Sequence, residues 1–335
     1  MKQVVIVGAG IAGLACGRRL KQAGINAIIL EKSAGVGGRV ATRRAQGTWL
    51  DHGLPYVQTG TDPRYNQWVQ SLLQRGILQT WTDRRFLLSV HGLANQQEDR
   101  PLLAAPQGIT AIAKDLAQDQ TVHLQTKVAE IKIANDRWQL LTDKGEFSAD
   151  ILVMTPPAPK TYDLLAYALS FHPEVLKSLE VVKYHSTMTL LCGYHSQRSL
   201  PRDWEVLICR DHPIIQTLYF NSTKQDQPPY ASIVVHSTED FALHHYSTGD
   251  LGRVGEIMLE AIGQLLTSQI AKPDWWQVHR WRYSRVKQPL ELPSLASYRP
   301  LPLFFAADWL AGDGIESAFI AGIDAAEEIL NSRVL

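Results

Sequence analysis

Cysteine is scarce in this 335-residue chain. There are three, Cys16, Cys192 and Cys209, scattered and never in a CxxC pair. That spacing excludes a dithiol redox motif and a cysteine-based zinc site, and a sparse, odd set suits a reducing compartment. An excess of either charge is also missing, with 33 Lys plus Arg against 33 Asp plus Glu. Nothing general therefore draws the chain to nucleic acid or to an anionic membrane surface. No apolar run approaches the ~18 residues of a membrane span, and there are no repeats or low-complexity tracts. The start, "MKQVVIVGAGIAGLACG", has the outline of a secretory leader. Its charged region is thin, however, and the same residues serve better inside a folded domain. The expected location is cytoplasmic. What remains is an ordinary globular composition, of a length that suggests two domains at about 150 residues each.

The first residues set out a nucleotide-binding unit. "QVVIV" reads as a buried parallel strand, Gly8-Ala9-Gly10-Ile11-Ala12-Gly13 follows at once, and a helix runs on to a stop at Gly24, with Leu14 and Leu20 inward. Gly8 permits the tight turn, Gly10 lets the backbone approach a pyrophosphate, and Gly13 brings helix against strand. The helix N-terminus offers free N–H groups and a positive dipole end to phosphates. "NAIILE" is a second strand whose last residue, Glu31, sits where a ribose diol is held. Next comes "EKSAGVGGRVATRR". After Glu31 and Lys32, the glycines Gly35, Gly37 and Gly38 turn the chain back towards the pyrophosphate, and Arg39, Arg43 and Arg44 supply cations. A plain NAD domain does not need this second element, which points instead to the longer dinucleotide FAD.

Further on, 101–118 reads as a loop and helix, and 121–155 as a β-meander turning at Asn135-Asp136 and Asp143-Lys144-Gly145. Pro156, Pro157 and Pro159 mark a domain crossing. Strands are expected at 184–194, 205–209, 214–220 and 230–237. An amphipathic helix is expected at about 250–268, with Leu251, Val254, Met258, Ile262 and Leu265 inward. That region lacks a second GxGxxG. "WWQVHRWRYS" then reads as a strand returning to the first domain, followed by a strand, a polar turn and a helix to the end. Asp308 is placed to bond a ribityl or pyrophosphate group. The helix beginning near Gly314–Glu316 is placed to aim its dipole at a flavin carbonyl. The expected division is 1–60, 101–158 and 275–335 for the FAD-binding domain, with 61–100 and 159–274 for the substrate domain.

These segments together, with "DHGLPY", "PQGITAIAKDLA", "SIVVHS" and "LFFAADWLAGDGIESAFIAGIDAAEEIL", resemble from end to end the renalase-like branch of the FAD-dependent amine oxidase superfamily. The resemblance implies an α/β fold of the p-hydroxybenzoate-hydroxylase/amine-oxidase type, with a Rossmann-like FAD-binding domain under a mixed α+β substrate domain. It implies non-covalent FAD held by Gly8, Gly10, Ile11, Ala12, Gly13, Glu31, Lys32, Gly38, Arg39, Arg43, Gly53, Val128 (backbone against adenine), Asp308, Glu316, Ser317 and Ala318, and no metal. The implied chemistry is oxidation of 2- and 6-dihydro-NAD(P) isomers to NAD(P)+ by hydride transfer to flavin N5, with O2 as final acceptor and hydrogen peroxide as product. Two positions depart from the family pattern. Ala307 precedes Asp308 where glycine is usual, and Pro55 replaces a glutamine before Tyr56.

Tyr56, His236, His279, Trp281 and Tyr283 are the expected substrate pocket. The last three alternate along one strand and so share a face, either the flavin cavity or plain core. His236 closes its strand either as a ligand contact or as a histidine satisfied at a strand end. Arg280 and Arg282 fall on the opposite face. Hydride transfer from a dihydropyridine needs no strong base, and neither does amine oxidation by the same route. An amine oxidase, an NAD(P)H oxidase and a slow-turnover NAD(P)-binding sensor or scaffold therefore stay open as alternatives.

Overall fold

Four β-branched residues, Val4–Val7, lie at the heart of a six-stranded sheet in the computed structural model, which describes residues 2–89, 92–170, 172–195, 204–332 and 334–335. Val4–Val7 pairs in parallel with Ile28–Leu30 on one side and Ile151–Met154 on the other. Thr121–His123 and Leu303–Phe305 extend the two flanks in parallel, and Ala296–Ser297 adds an antiparallel edge. The central strands are apolar throughout because layers cover both faces. On one side the helices Ile11–Gln22 and Gly314–Asn331 approach so closely that a Cβ on Gly322 would lie 2.3 Å from the Ala12 carbonyl oxygen.

The meander is Val128–Ala134, Arg137–Thr142 and Gly145–Ala149. Asn135 and Asp136 both take positive φ at its first turn, as a two-residue hairpin of this hand requires. Its expected ends differ: Thr121–His123 and Ile151–Met154 belong to the parallel sheet.

The second layer is a seven-stranded sheet. Its order is Trp275–Gln288, Lys183–Tyr194, Ala231–Ser237, Ile215–Tyr219, Val206–Cys209, Gln79–Ser89, Gly92–Ala104. Three expectations change here. Trp275–Gln288 pairs along Lys183–Tyr194 and so lies in this sheet, not with the first domain. Residues 101–104 continue a strand, and the following helix is Thr110–Leu116. The helix Pro63–Gln74 sends Tyr65, Trp68, Val69 and Leu72 into the core of the first sheet's helices, where Trp68 stacks on Phe319 at 4.5 Å, so it does not join the second sheet.

Alternation gives this sheet two different faces. Met188, Leu190, Cys192, Ile233 and Val235 point back under the helix Leu251–Leu265, which buries Val254, Met258 and Ile262 against them. Each such side chain contributes about 1.5–3 kcal/mol. The other face, with Leu191, Val234 and Tyr219, packs on Leu50 of the hairpin strand Thr48–Asp51. The first domain meets this front face.

Candidate functional site

The glycine run folds as its spacing requires. Gly8 has φ +106°, and a Cβ on Gly13 would sit 2.1 Å from the Gly8 carbonyl oxygen. A Cβ on Gly10 would meet nothing within 4 Å, so open space lies before the helix N-terminus, which carries no side-chain cap. Ile11 and Ala12 are buried in the helix's first turn. The second glycine element returns to this spot. Gly37 donates its N–H to the Ala9 carbonyl at 2.8 Å and bridges Gly10, and a Cβ on Gly38 would lie 3.5 Å from the Gly10 Cα. Two glycine turns thus frame one open cradle with free N–H groups, a fit for a dinucleotide pyrophosphate.

Glu31 is buried beside the cradle. One carboxylate oxygen accepts from Ala9 N and the other from Ser33 N, both at 2.8 Å. These bonds fix its orientation, and each oxygen retains a lone pair for a diol. Lys32 is exposed on the bend after it. Thr126 N donates to the Glu31 carbonyl and brings the start of the meander, with Val128, alongside.

Arg39 does not stand free as a phosphate cation. Its two guanidinium nitrogens meet the two oxygens of the buried Asp308 at 2.8 Å each. Asp308, expected to face a ribityl or pyrophosphate group, is held by this fork. Ala307 before it is extended (φ −157°, ψ 155°), a conformation any residue adopts, so the missing glycine costs nothing there. Gly53 is packed so tightly that a Cβ would lie 2.0 Å from the Arg39 carbonyl oxygen. Leu54 donates to that same carbonyl, which lays the "DHGLPY" segment along Arg39–Ala41. The Glu316 side chain is engaged within the protein. Its Oε1 accepts from Thr61 N at 2.6 Å and Asp62 N at 2.7 Å, which ties the 61–62 backbone to the last helix. Ser317 and Ala318 lie half-buried in that helix's first turn, whose cap Asp313 makes no side-chain cap bond.

The substrate-pocket expectations converge in part. On the front face of the second sheet, Thr189 lies directly opposite His279 on one neighbouring strand and His236 on the other. Thr217 continues this row next to His236. His52, from the hairpin above, meets the row: its ring centroid is 4.9 Å from that of His279 and 5.4 Å from that of Trp281. The Trp281 indole N–H donates to the His52 carbonyl at 2.9 Å. Tyr219 lies 5.1 Å from His236, and Tyr56 lies 6.2 Å from Tyr219.

Tyr283 is not among them. The register slips between His185 and Thr187, where Ser186 donates its hydroxyl to the Arg282 carbonyl. That bulge interrupts the alternation. Tyr283 turns to Tyr184, 5.2 Å away, and lines a separate cavity of about 470 Å³ with Tyr162, Tyr184 and Arg282. Arg280 lies on the back, where it donates to the Tyr246 and Thr248 carbonyls. Arg282 sits over the Tyr246 and Tyr283 rings.

The histidines of the row are held towards the neutral form. His52 is pushed down to about 3 by burial, by His279 and by Arg43, against the opposing Ala41 carbonyl. Burial, Lys224 and Arg285 push His236 down to about 4, and burial and Arg43 lower His279. Arg43 therefore acts on the histidines, in addition to whatever it offers a phosphate. Burial raises the Tyr56 hydroxyl, and Arg85, 5.3 Å over its ring, opposes that shift. The nearby carboxylates among the described residues are matched, and Arg285 is itself paired with Asp313 at 2.9 Å. Glu98 pairs with Arg85 at 3.3 Å, and Asp51 pairs with Lys224 at 3.0 Å, both members of the latter pair being fully buried.

Lys224 carries no signal in the sequence, since nothing near it names Asp51 as its partner. In the fold it also donates to the Pro55 carbonyl. Asn221 exchanges bonds with Asp51 N and the Trp49 carbonyl. This short 3₁₀ turn, Asn221–Lys224, thus clasps the second sheet to the hairpin above it.

Comparison with known proteins agrees with this architecture. A family model described as an NAD(P)-binding Rossmann-like domain matches residues 6–75, and one described as a flavin-containing amine oxidoreductase matches residues 85–330. Polyamine oxidase 7 of Oryza sativa subsp. japonica is 42% identical over 57 residues, which is 17% of this chain and 12% of that protein's length. The fold is shared with cyclohexylamine oxidase from Brevibacterium oxydans IH-35A (TM-score 0.75, 11% identity, 98% of each chain). It is shared also with a putrescine oxidase bound to putrescine (TM-score 0.71, 13% identity, 99% of each chain). No helix among the described residues is long and apolar enough to cross a membrane.

Proposed function

Because the chain belongs to the flavin-containing amine oxidoreductase family and is an FAD-dependent oxidoreductase, we propose that its substrate is a dihydronicotinamide dinucleotide, oxidised in the manner of the renalase-like branch. One observation carries this choice. The pocket row presents neutral imidazoles, and the carboxylates beside it are taken by cations, Glu98 by Arg85 and Asp51 by Lys224. Such a lining offers an ammonium substrate no free anion and suits a neutral ring.

In this reading Gly8, Gly10, Gly13 and Gly38 cradle the pyrophosphate of FAD, Glu31 holds its ribose, and the Val128 backbone lies against adenine. The Arg39–Asp308 fork fixes the chain beside the flavin, with Gly53 and the first turn of the last helix, Glu316 to Ala318, completing the wall. FAD supplies the two-electron acceptor, with dioxygen as final acceptor and hydrogen peroxide as product. The substrate ring becomes aromatic on losing hydride and sheds no proton, so neutral histidines suffice. Their work, with Trp281 and Tyr56, is to hold the ring in place and keep water out.

Anaerobic rapid mixing of the holoenzyme tests the reading. Fast bleaching of the flavin's visible band by 2- or 6-dihydro-NAD(P), with amines and ordinary NAD(P)H slow, is the expected result. Fast bleaching by an amine or by ordinary NAD(P)H, with the isomers inert, overturns it in favour of an amine or NAD(P)H oxidase. Slow bleaching by every compound leaves an NAD(P)-binding sensor.

A further inference from the structure

The pocket row contains buried polar atoms with no partner inside the protein. Thr189 is fully buried and its Oγ1 makes no hydrogen bond. The same holds for Nε2 of His236 and Nδ1 of His52. An unpaired hydroxyl in such a place costs about 1–3 kcal/mol, so three unpaired atoms on this row and on the hairpin residue above it need a reason. The chain has apolar alternatives at hand. Leu191 and Val234 occupy the same face one step along the same two strands.

The chemistry of the two sheet residues is complementary. Nε2 of His236 has no partner inside the protein, and in the tautomer that carries its proton on Nδ1 this atom offers a lone pair. The neighbouring Thr189 hydroxyl is free to donate. Directly opposed residues on adjacent strands hold their Cβ atoms about 4.5–5.5 Å apart. One planar group with an N–H on one side and a C=O on the other therefore spans both.

We infer that Thr189 and His236 form a recess for a primary carboxamide, with Nε2 of His236 accepting the amide N–H and Thr189 Oγ1 donating to the amide carbonyl, and that Thr189 is a specificity-determining residue. The nicotinamide ring as bearer of that amide rests on the function proposed above, whereas the recess itself rests only on the unpartnered atoms. A recess built to bond an amide rejects an analogue that lacks the N–H, because the acceptor is then stranded.

The test uses the oxidised holoenzyme and the shift of its flavin spectrum on titration with nicotinamide, benzamide and 3-acetylpyridine, which keeps the carbonyl but has no amide N–H. The wild-type protein is expected to bind at least one of the two amides about tenfold tighter than 3-acetylpyridine, the worth of one buried hydrogen bond. Thr189→Val, which keeps the side-chain shape, is expected to lose about tenfold in amide affinity, and Thr189→Ser to recover most of it. Equal affinity for amide and ketone in the wild type overturns the inference without any variant. So does unchanged amide binding by a Thr189→Val protein that retains its flavin. If the amides are preferred but dihydro-NAD(P) isomers do not bleach the flavin, the recess stands and the dinucleotide reading falls. If the isomers bleach the flavin but the amides are not preferred, the dinucleotide reading stands and the recess falls.

Discussion

Arg39 and Asp308, 269 positions apart, meet in two parallel hydrogen bonds of 2.8 Å, with the carboxylate nearly inaccessible and the guanidinium one-third exposed. The pair joins the second glycine turn to the end of the Leu303–Phe305 strand, so that one contact fixes this arm of the cradle. Either Arg39→Ala or Asp308→Ala should weaken FAD retention by about ten- to a hundredfold, from the ~1.5–3 kcal/mol of a charged hydrogen-bonded pair. Arg39→Lys should not restore it, since an ammonium cannot form the fork. The flavin-to-protein absorbance ratio after dialysis reads this directly, and full retention in all three variants would show that the pair does not order the cradle.

Gly10 and Gly13 separate a binding role from a folding role. Gly10 has φ −75° and open space where a Cβ would go, whereas Gly13 would drive one into the Gly8 carbonyl. Gly10→Val should leave the apoprotein's urea midpoint almost unchanged and sharply reduce FAD binding. Gly13→Val should fail to fold. A Gly10→Val protein that binds FAD normally would place the pyrophosphate elsewhere.

Much of this is legible in the sequence because its cause is local. The turn at Gly8–Gly13, the second glycine element and the amphipathic helix with Val254, Met258 and Ile262 are written in neighbouring residues. What cannot be read there depends on pairing across the chain. Asp308 carries the right residue type for a cofactor contact, but nothing near it names Arg39 as its partner. Strict alternation puts Tyr283 on the face shared by His279 and Trp281, and the bulge opposite Ser186 removes it from that face. Thr189 sits in an ordinary strand, "STMTLLCGY", and becomes notable only when two histidines from other strands flank it.

Lys224 and Asp51 should reveal themselves through unequal variants. Both are fully buried, and Asp51 also accepts from Thr42 Oγ1 and Ile109 N at 2.8 Å each. Burial lowers the Lys224 ammonium, and Asp51 holds against that. Lys224→Met strands the carboxylate and should cost about 3–5 kcal/mol. Adding Asp51→Asn removes the stranded charge while keeping an acceptor for Ile109, and should recover a large part of that loss. Urea unfolding of the two variants and the wild type measures the difference. A double variant as unstable as Lys224→Met alone would mean that the clasp, not the charge pairing, carries the energy.

The histidines predict how stability follows pH. In the folded state His52 and His236 stay neutral down to about 3 and about 4, whereas an unfolded histidine takes a proton near 6.5. Between these values the unfolded chain binds more protons than the native one, so acid favours unfolding. Their contribution is fully present above about pH 6.5 and is lost as pH falls towards 4, at about 1.4 kcal/mol per pH unit for each histidine. The melting temperature should therefore fall steadily from pH 7 to 4.5, and a His52→Gln/His236→Gln protein should show a flatter profile. Within that range the rings do not titrate in the native state, so the rate of flavin reduction by substrate should show no break near 6.5 due to them. A melting profile as steep in the double variant as in the wild type would mean that these two rings are not held neutral, and the neutral lining proposed to suit the substrate ring would lose its main support.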